Sequence, residues 1–203
     1  AISHEFKNPI AIISGYTETI LNDEQMPQPM KIRFLKKIYS NANKMSQIVD
    51  KLRLTLKLEE GKQELILIPC SMKKLIITCI SDLKDKYKNR EILIQGDDIT
   101  LKVDETLISM AISNLIENAL KYSEDEIIVN ISDKSITIID KGIGIEEKEL
   151  EKINQKFYRI SNNGWNNSLG LGLFIVQSVL SLHNFTLKID SVFKNGSQFS
   201  INY

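Results

Sequence analysis

The chain has 203 residues, with 26 basic and 26 acidic side chains, 42% hydrophobic residues, nine glycines and two cysteines. Its length admits one large domain or two small ones with real cores, and its composition excludes disordered and collagen-like chains. A net charge of zero excludes a strongly basic nucleic-acid surface or a polybasic anchor, and no apolar run approaches the roughly 18 residues that a bilayer span requires.

From residue 2 to about 59 the hydrophobic period is helical. Ile2, Phe6, Ile13, Tyr16 and Ile20 follow the four-and-three spacing of a helix seam. Met26-Pro27-Gln28-Pro29 turns the chain, and Leu35, Ile38, Ala42, Met45, Val49, Leu52 and Leu56 then resume a strict alternation. A hairpin with one apolar stripe per helix buries itself poorly alone, and two copies would form a four-helix bundle. Gly61 marks a helix stop, which predicts a helical domain over residues 1–60 and a second domain over 61–203.

Beyond Gly61 short β-branched runs alternate with helical patterns. Strands are predicted at Glu64–Pro69, Ile92–Gln95, Ile99–Val103, Ile127–Ser132, Ser135–Ile139, Phe185–Asp190 and Gln198–Tyr203, with helices over 71–88, 104–122 and 171–183. The order implies an α+β sandwich with helices on one face of a mixed sheet. Cys70 and Cys79 lie nine residues apart, which suits neither a metal pair nor a disulfide framework, so a reducing compartment is expected.

Three segments of the second region carry chemistry together. On the helix Asn114–Tyr122, Asn114 and Asn118 share a face with Lys121; a carboxamide oxygen suits Mg²⁺ and a lysine suits phosphate. Asp140-Lys141-Gly142-Ile143-Gly144 follows a strand, where a carboxylate can accept an adenine amine and glycines admit a flat base. Gly170-Leu171-Gly172-Leu173 opens an apolar helix whose first N–H groups suit phosphate oxygens.

In this order the segments resemble the GHKL nucleotide-binding fold, specifically the catalytic domain of sensor histidine kinases. They match its N-box, G1 box and G2 box, with Lys156-Phe157-Tyr158-Arg159 as the F-box. The resemblance implies that Asn118 binds Mg²⁺, that Asp140 reads adenine, and that Lys121 and Arg159 contact phosphates. It also places Asn114, Tyr122, Gly142, Gly144, Gly170, Leu171 and Gly172 around ATP, under a lid over about residues 158–169 that includes Gly164 and Trp165. ATP-hydrolysing relatives of this fold carry a water-activating glutamate where this chain has Asn114, which cannot act as a general base. The G2 box departs from the family in having Ser168-Leu169 before Gly170, which could stiffen the lid hinge or weaken phosphate contacts.

At the other end, Ser3-His4-Glu5-Phe6-Lys7-Asn8-Pro9-Ile10 resembles the H-box of dimerisation and histidine-phosphotransfer domains. His4 is then the phosphoacceptor, Glu5 orients the imidazole or takes its proton, and Asn8 orients a water for dephosphorylation of the partner. Pro9 withholds a hydrogen bond from the preceding turn, so a kink is expected there. His183 closes an apolar helix, where a structural role and a favourable cation–dipole contact are expected. The resemblance implies a homodimer through the hairpin and a response-regulator receiver domain as partner. It also implies a cytoplasmic fragment that does not itself touch the membrane, within a protein anchored in the cell membrane. The competing expectations are a GHKL ATPase that turns over ATP and a nucleotide-binding dimeric scaffold.

Overall fold

A computed structural model describes residues 2–160 and 169–203, with backbone alone at positions 2 and 4. The chain divides into two compact units at Gly61. The first is an antiparallel helical hairpin, α1 (Ile2–Asn22) and α2 (Gln28–Glu59). α1 runs through Pro9 as helix. Pro29 does not terminate anything: with Pro27 at the N-cap it lies in the first turn of α2, where its missing N–H would have had no intrahelical partner.

The seam expected on α1 is observed from Phe6 to Ile20; the Ile2 side chain lies outside the described residues. Phe6, Ile13, Tyr16 and Ile20 are half-buried, and the Tyr16 and Phe34 rings meet at 4.8 Å. On α2 the expected stripe is only partly inward. Ile38, Met45 and Leu52 are half-buried and Ile48 and Thr55 are buried, whereas Leu35, Val49 and Leu56 are about half exposed or more, at 49%, 51% and 58%. The inward face is thus centred one position earlier than the sequence suggested, and an apolar stripe is left outside.

The second unit carries β1 (Ile68–Ser71), α3 (Met72–Lys84), β2 (Ile92–Gln95), β3 (Thr100–Val103), α4 (Glu105–Tyr122), β4 (Ile127–Ile131), β5 (Ser135–Asp140), α5 (Glu147–Leu150), α6 (Gly172–Leu182), β6 (Thr186–Val192) and β7 (Gly196–Asn202). Five strands form one mixed sheet in the order β2-β4-β5-β7-β6; β2 runs parallel to β4 and the other pairings are antiparallel. β1 and β3 make a separate antiparallel pair. The α+β class is as expected from the sequence. β1 begins four residues later than expected, α3 stops four residues earlier, and the one-turn helix α5 carries no periodic signal long enough to read.

The core lies between the sheet and its helices. Ile127, Val129 and Ile131 of β4 and Ile136 and Ile138 of β5 point inward, as do Phe199 and Ile201 of β7. They share this core with Leu107, Ile108, Ala111, Ile112, Leu115, Ile116, Ala119 and Leu120 of α4 and with Ile175, Val176, Val179 and Leu180 of α6. Each fully buried large side chain contributes about 1.5–3 kcal/mol, so α4 is held mainly by this face, which fixes the direction of its polar one.

Buried polar groups fix the N-terminal end of α4. The Asp104 carboxylate accepts from Leu107 N–H and from Ile66 N–H, both at 3.0 Å, and so caps the helix. His183 Nε2 accepts from Asp104 N–H at 3.0 Å while Nδ1–H donates to the Val179 carbonyl at 2.8 Å. The structural role expected of His183 stands, but its physical reason differs: this is a neutral, doubly bonded imidazole and not a cation on a helix dipole. Both cysteines are buried free thiols. Among the described residues no helix is long and apolar enough to cross a membrane.

Candidate nucleotide site

The C-terminal half of α4 presents Asn114, Asn118, Lys121 and Tyr122, all half-buried and beside its apolar stripe. Asn114 Nδ2 donates to the Met110 carbonyl at 2.9 Å, and its oxygen is turned toward the start of α6. A Cβ added at Gly172 would lie 3.3 Å from that oxygen, which brings the start of α6 against the middle of α4. The N-cap residue Leu171 makes no side-chain cap bond, and the leading N–H groups of a helix are of the kind that suit an anion.

The loop after β5 closes on the end of α4. Ile143 N–H donates to the Tyr122 carbonyl at 3.1 Å, and a Cβ at Gly142 would stand 2.1 Å from that same oxygen. Only glycine permits this approach. Asp140 is buried, with Gly142 N–H donating to its Oδ1 at 2.8 Å. Burial pushes its carboxyl above the usual carboxylate range, opposed by the N–H groups of Gly142 and Ser197. Gly144 has φ +62°, and its Cα faces the Val192 carbonyl so closely that a Cβ would sit 2.1 Å from it. Lys194 N–H to the Ile143 carbonyl at 2.7 Å and Ile145 N–H to Ser191 Oγ at 2.8 Å tie this loop to the β6–β7 hairpin.

The F-box meets the G2 box through backbone. Phe157 N–H donates to the Gly170 carbonyl at 2.9 Å, and both residues are left-handed, at φ +63° and +69°. A Cβ at Gly170 would lie 2.6 Å from the Tyr158 carbonyl oxygen. Tyr158 hydroxyl donates to Glu149 of α5, and that bond pushes the phenol upward. Lys156 Nζ stands 5.2 Å from the centre of the Phe174 ring on α6. Arg159 is half-buried. Leu171 is buried at 1% exposure, so its side chain serves the core and only its backbone is offered to a ligand.

The structure therefore brings the N-box, G1, F-box and G2 residues of one unit into a continuous set of contacts. His4, Glu5 and Asn8 belong to the other unit, in the first turns of α1, where Glu5 is buried and Asn8 half-buried. Of the expected lid, residues 161–168, with Gly164 and Trp165, lie outside the described residues. Sequence reasoning missed Gly196 and Ser197, which close the strand side of Asp140: a Cβ at Gly196 would sit 2.0 Å from the Asp140 carbonyl oxygen. The Asn195-Gly196 turn signal was available for the first of these.

Residues 103–203 match the model of the histidine kinase-, DNA gyrase B- and HSP90-like ATPases, and residues 1–61 match the His Kinase A phospho-acceptor domain. The phosphate regulon sensor protein PhoR of Pseudomonas aeruginosa is 32% identical over all of this chain and 48% of its own length. The chain belongs to the sensor histidine kinases. The sensor-like histidine kinase SenX3 of Mycolicibacterium smegmatis is 27% identical over 99% of this kinase chain and 55% of its own. The chain thus spans about half the length of these curated relatives. In fold it is similar to the histidine kinase AdeS of Acinetobacter baumannii, with a TM-score of 0.75 at 21% identity, covering 99% of this chain and 97% of that one. The gyrase B- and HSP90-like family assigns ATP binding to the second unit.

Proposed function

We propose that this chain is the catalytic core that moves the γ-phosphoryl group of ATP to His4 and then to an aspartate on a response-regulator receiver domain. The observation that carries this reading is Asn114. It stands where ATP-hydrolysing relatives of the fold have their general base, and its Nδ2 is spent on the Met110 carbonyl. A site built this way holds ATP without activating water, and the acceptor has to come from elsewhere in the chain.

In this reading Asp140 accepts the adenine amine and Gly142 and Gly144 let the base lie against backbone. Lys121, Arg159 and the first N–H groups of α6 offset the phosphate charge. Among the described residues no cluster of three or more carboxylate, thiol or imidazole groups could cage a metal. The donor set instead suits a Mg²⁺ ion held chiefly by phosphate and water oxygens, with the Asn118 amide oxygen as its protein ligand. When bound there, that ion supplies charge neutralisation at the phosphates.

A neutral imidazole nitrogen of His4 attacks the γ-phosphorus; the N–P bond forms as the bond to the ADP oxygen breaks. Glu5 orients the ring or takes up its proton. The second transfer breaks the N–P bond and forms an acyl phosphate on the receiver aspartate. Asn8 orients a water for the reverse duty of dephosphorylating that partner. The exposed Leu35, Val49 and Leu56 stripe on α2 supports dimerisation through the hairpin. The domain boundary follows the same reading: residues 1–60 dimerise and accept phosphate, and residues 61–203 bind ATP. The buried free thiols suit a cytoplasmic location, within a longer membrane-anchored protein.

The test is incubation with ATP labelled at the γ-phosphate. An acid-labile, base-stable label that His4→Gln abolishes is expected. Acid-stable label, or label that survives the substitution, contradicts the reading.

A further inference from the structure

Arg90 lies in the connection between α3 and β2, outside every motif segment. Its guanidinium is nevertheless spent on the end of the N-box helix. Nη1 donates to the Leu120 carbonyl and Nη2 to the Asp125 carbonyl, each at 2.9 Å.

The last four carbonyls of a helix have no intrahelical donor and must be satisfied from outside. At the end of α4, Ala119 O receives Ser123 N–H at 3.1 Å and Tyr122 O receives Ile143 N–H at 3.1 Å. Leu120 O receives Arg90. The helix end is therefore capped by its own next residue, by the G1 loop, and by one cation delivered from thirty residues away in sequence. The charge is also of the sign that a helix C-terminus favours. The two carbonyls that Arg90 bridges bracket residues 121–124, which include Lys121 and Tyr122. The neighbouring Lys86 and Tyr87 grip the same helix one turn earlier, through Glu117.

We infer that Arg90 is a positioning residue of the nucleotide site: its planar fork, by bridging the Leu120 and Asp125 carbonyls, holds the turn that presents Lys121 to the triphosphate. The inference rests on the nucleotide reading of the site. A guanidinium is suited to this because it presents two fixed donors; a lysine at the same place reaches one carbonyl at a time.

The test uses the full chain and calorimetric titration with a non-hydrolysable ATP analogue plus Mg²⁺, and separately with adenosine. Arg90→Ala is expected to weaken the triphosphate about tenfold, as loss of two charge-assisted bonds that orient Lys121 requires, with a much smaller loss for adenosine. Arg90→Lys is expected to recover part of that loss, and it carries the test if the alanine variant does not fold. In a Lys121→Ala background the Arg90 substitution is expected to cost little more, because the two act on the same contact. Equal weakening of both ligands, no weakening, or full additivity with Lys121→Ala overturns the assignment, since a merely structural arginine would give one of these. A wild-type chain that binds adenosine and the analogue while Arg90→Ala is unchanged overturns the arginine alone. Failure of the wild type to bind either ligand overturns the nucleotide reading and the inference with it.

Discussion

Gly142→Ala puts the geometry of the nucleotide site under the most direct strain. The added Cβ would stand 2.1 Å from the Tyr122 carbonyl oxygen, 2.7 Å from its carbon and 2.9 Å from Asp140 Oδ1. Ordinary contact begins near 3.4 Å, so loop and helix end must part by about 1.3 Å. Two of the three obstacles are backbone and the third is a buried carboxylate, so none can rotate aside. Overpacking of this kind costs about 1–3 kcal/mol, and loss of the Ile143-to-Tyr122 hydrogen bond adds about 1 kcal/mol. The sum of about 2–4 kcal/mol corresponds to a 30-fold to several-hundred-fold loss of affinity if the ligand needs the native spacing. Titration with a non-hydrolysable ATP analogue measures this, and circular dichroism checks that the variant is folded. A folded variant that binds within about threefold of wild type would refute the reasoning, because ATP would then not depend on that approach.

Gly15 sits inside α1 with nothing among the described residues within 4 Å of an added Cβ, so Gly15→Ala is expected to stabilise the hairpin by about 0.5–1 kcal/mol in urea unfolding. A destabilised variant would contradict this. Burial raises the Asp140 carboxyl in the folded state above its unfolded value, so the folded state holds its proton to higher pH. Stability without nucleotide is then expected to fall as pH rises through the raised value. Asp140→Asn should remove that fall while weakening ATP binding tenfold or more, through loss of a charged acceptor, roughly the worth of one such bond. An unchanged pH profile would be the contrary result. His183→Phe leaves the buried Asp104 N–H without its acceptor and is expected to cost about 1–3 kcal/mol in urea unfolding, with a change under about 0.5 kcal/mol counting against the bond.

The sequence was most readable where one local pattern decides the structure. The α1 seam follows from its period, and the α4 and α6 helices from their apolar faces. The motif glycines at 142, 144 and 170 mark places where backbone must approach backbone, and Gly172 one where it approaches the Asn114 side chain; each meets a neighbour that a side chain would strike or press. What escaped depends on long-range partners. The inward face of α2 is set by how it packs on α1, so Leu35, Val49 and Leu56 share the sequence stripe with Ile38, Met45 and Leu52 and yet lie outside. Pro29 looked like a helix breaker, but a proline in a first turn withholds only an N–H that would go unpaired. The neutral state of His183 is set by Asp104, 79 residues away, and the role of Arg90 by carbonyls 30 and 35 residues on. A lone arginine in a polar connection carries no local signal of such partners.

The proposed site spends ATP on the protein and not on water. Its sharpest test is the fate of the γ-phosphoryl group in a single turnover, with the chain in excess over labelled ATP and Mg²⁺. The expected result is label retained on the wild-type protein with little free phosphate, and intact ATP left bound to His4→Gln. Steady release of free phosphate by the His4→Gln chain would contradict it, because a site with Asn114 in the general-base position would then be activating water.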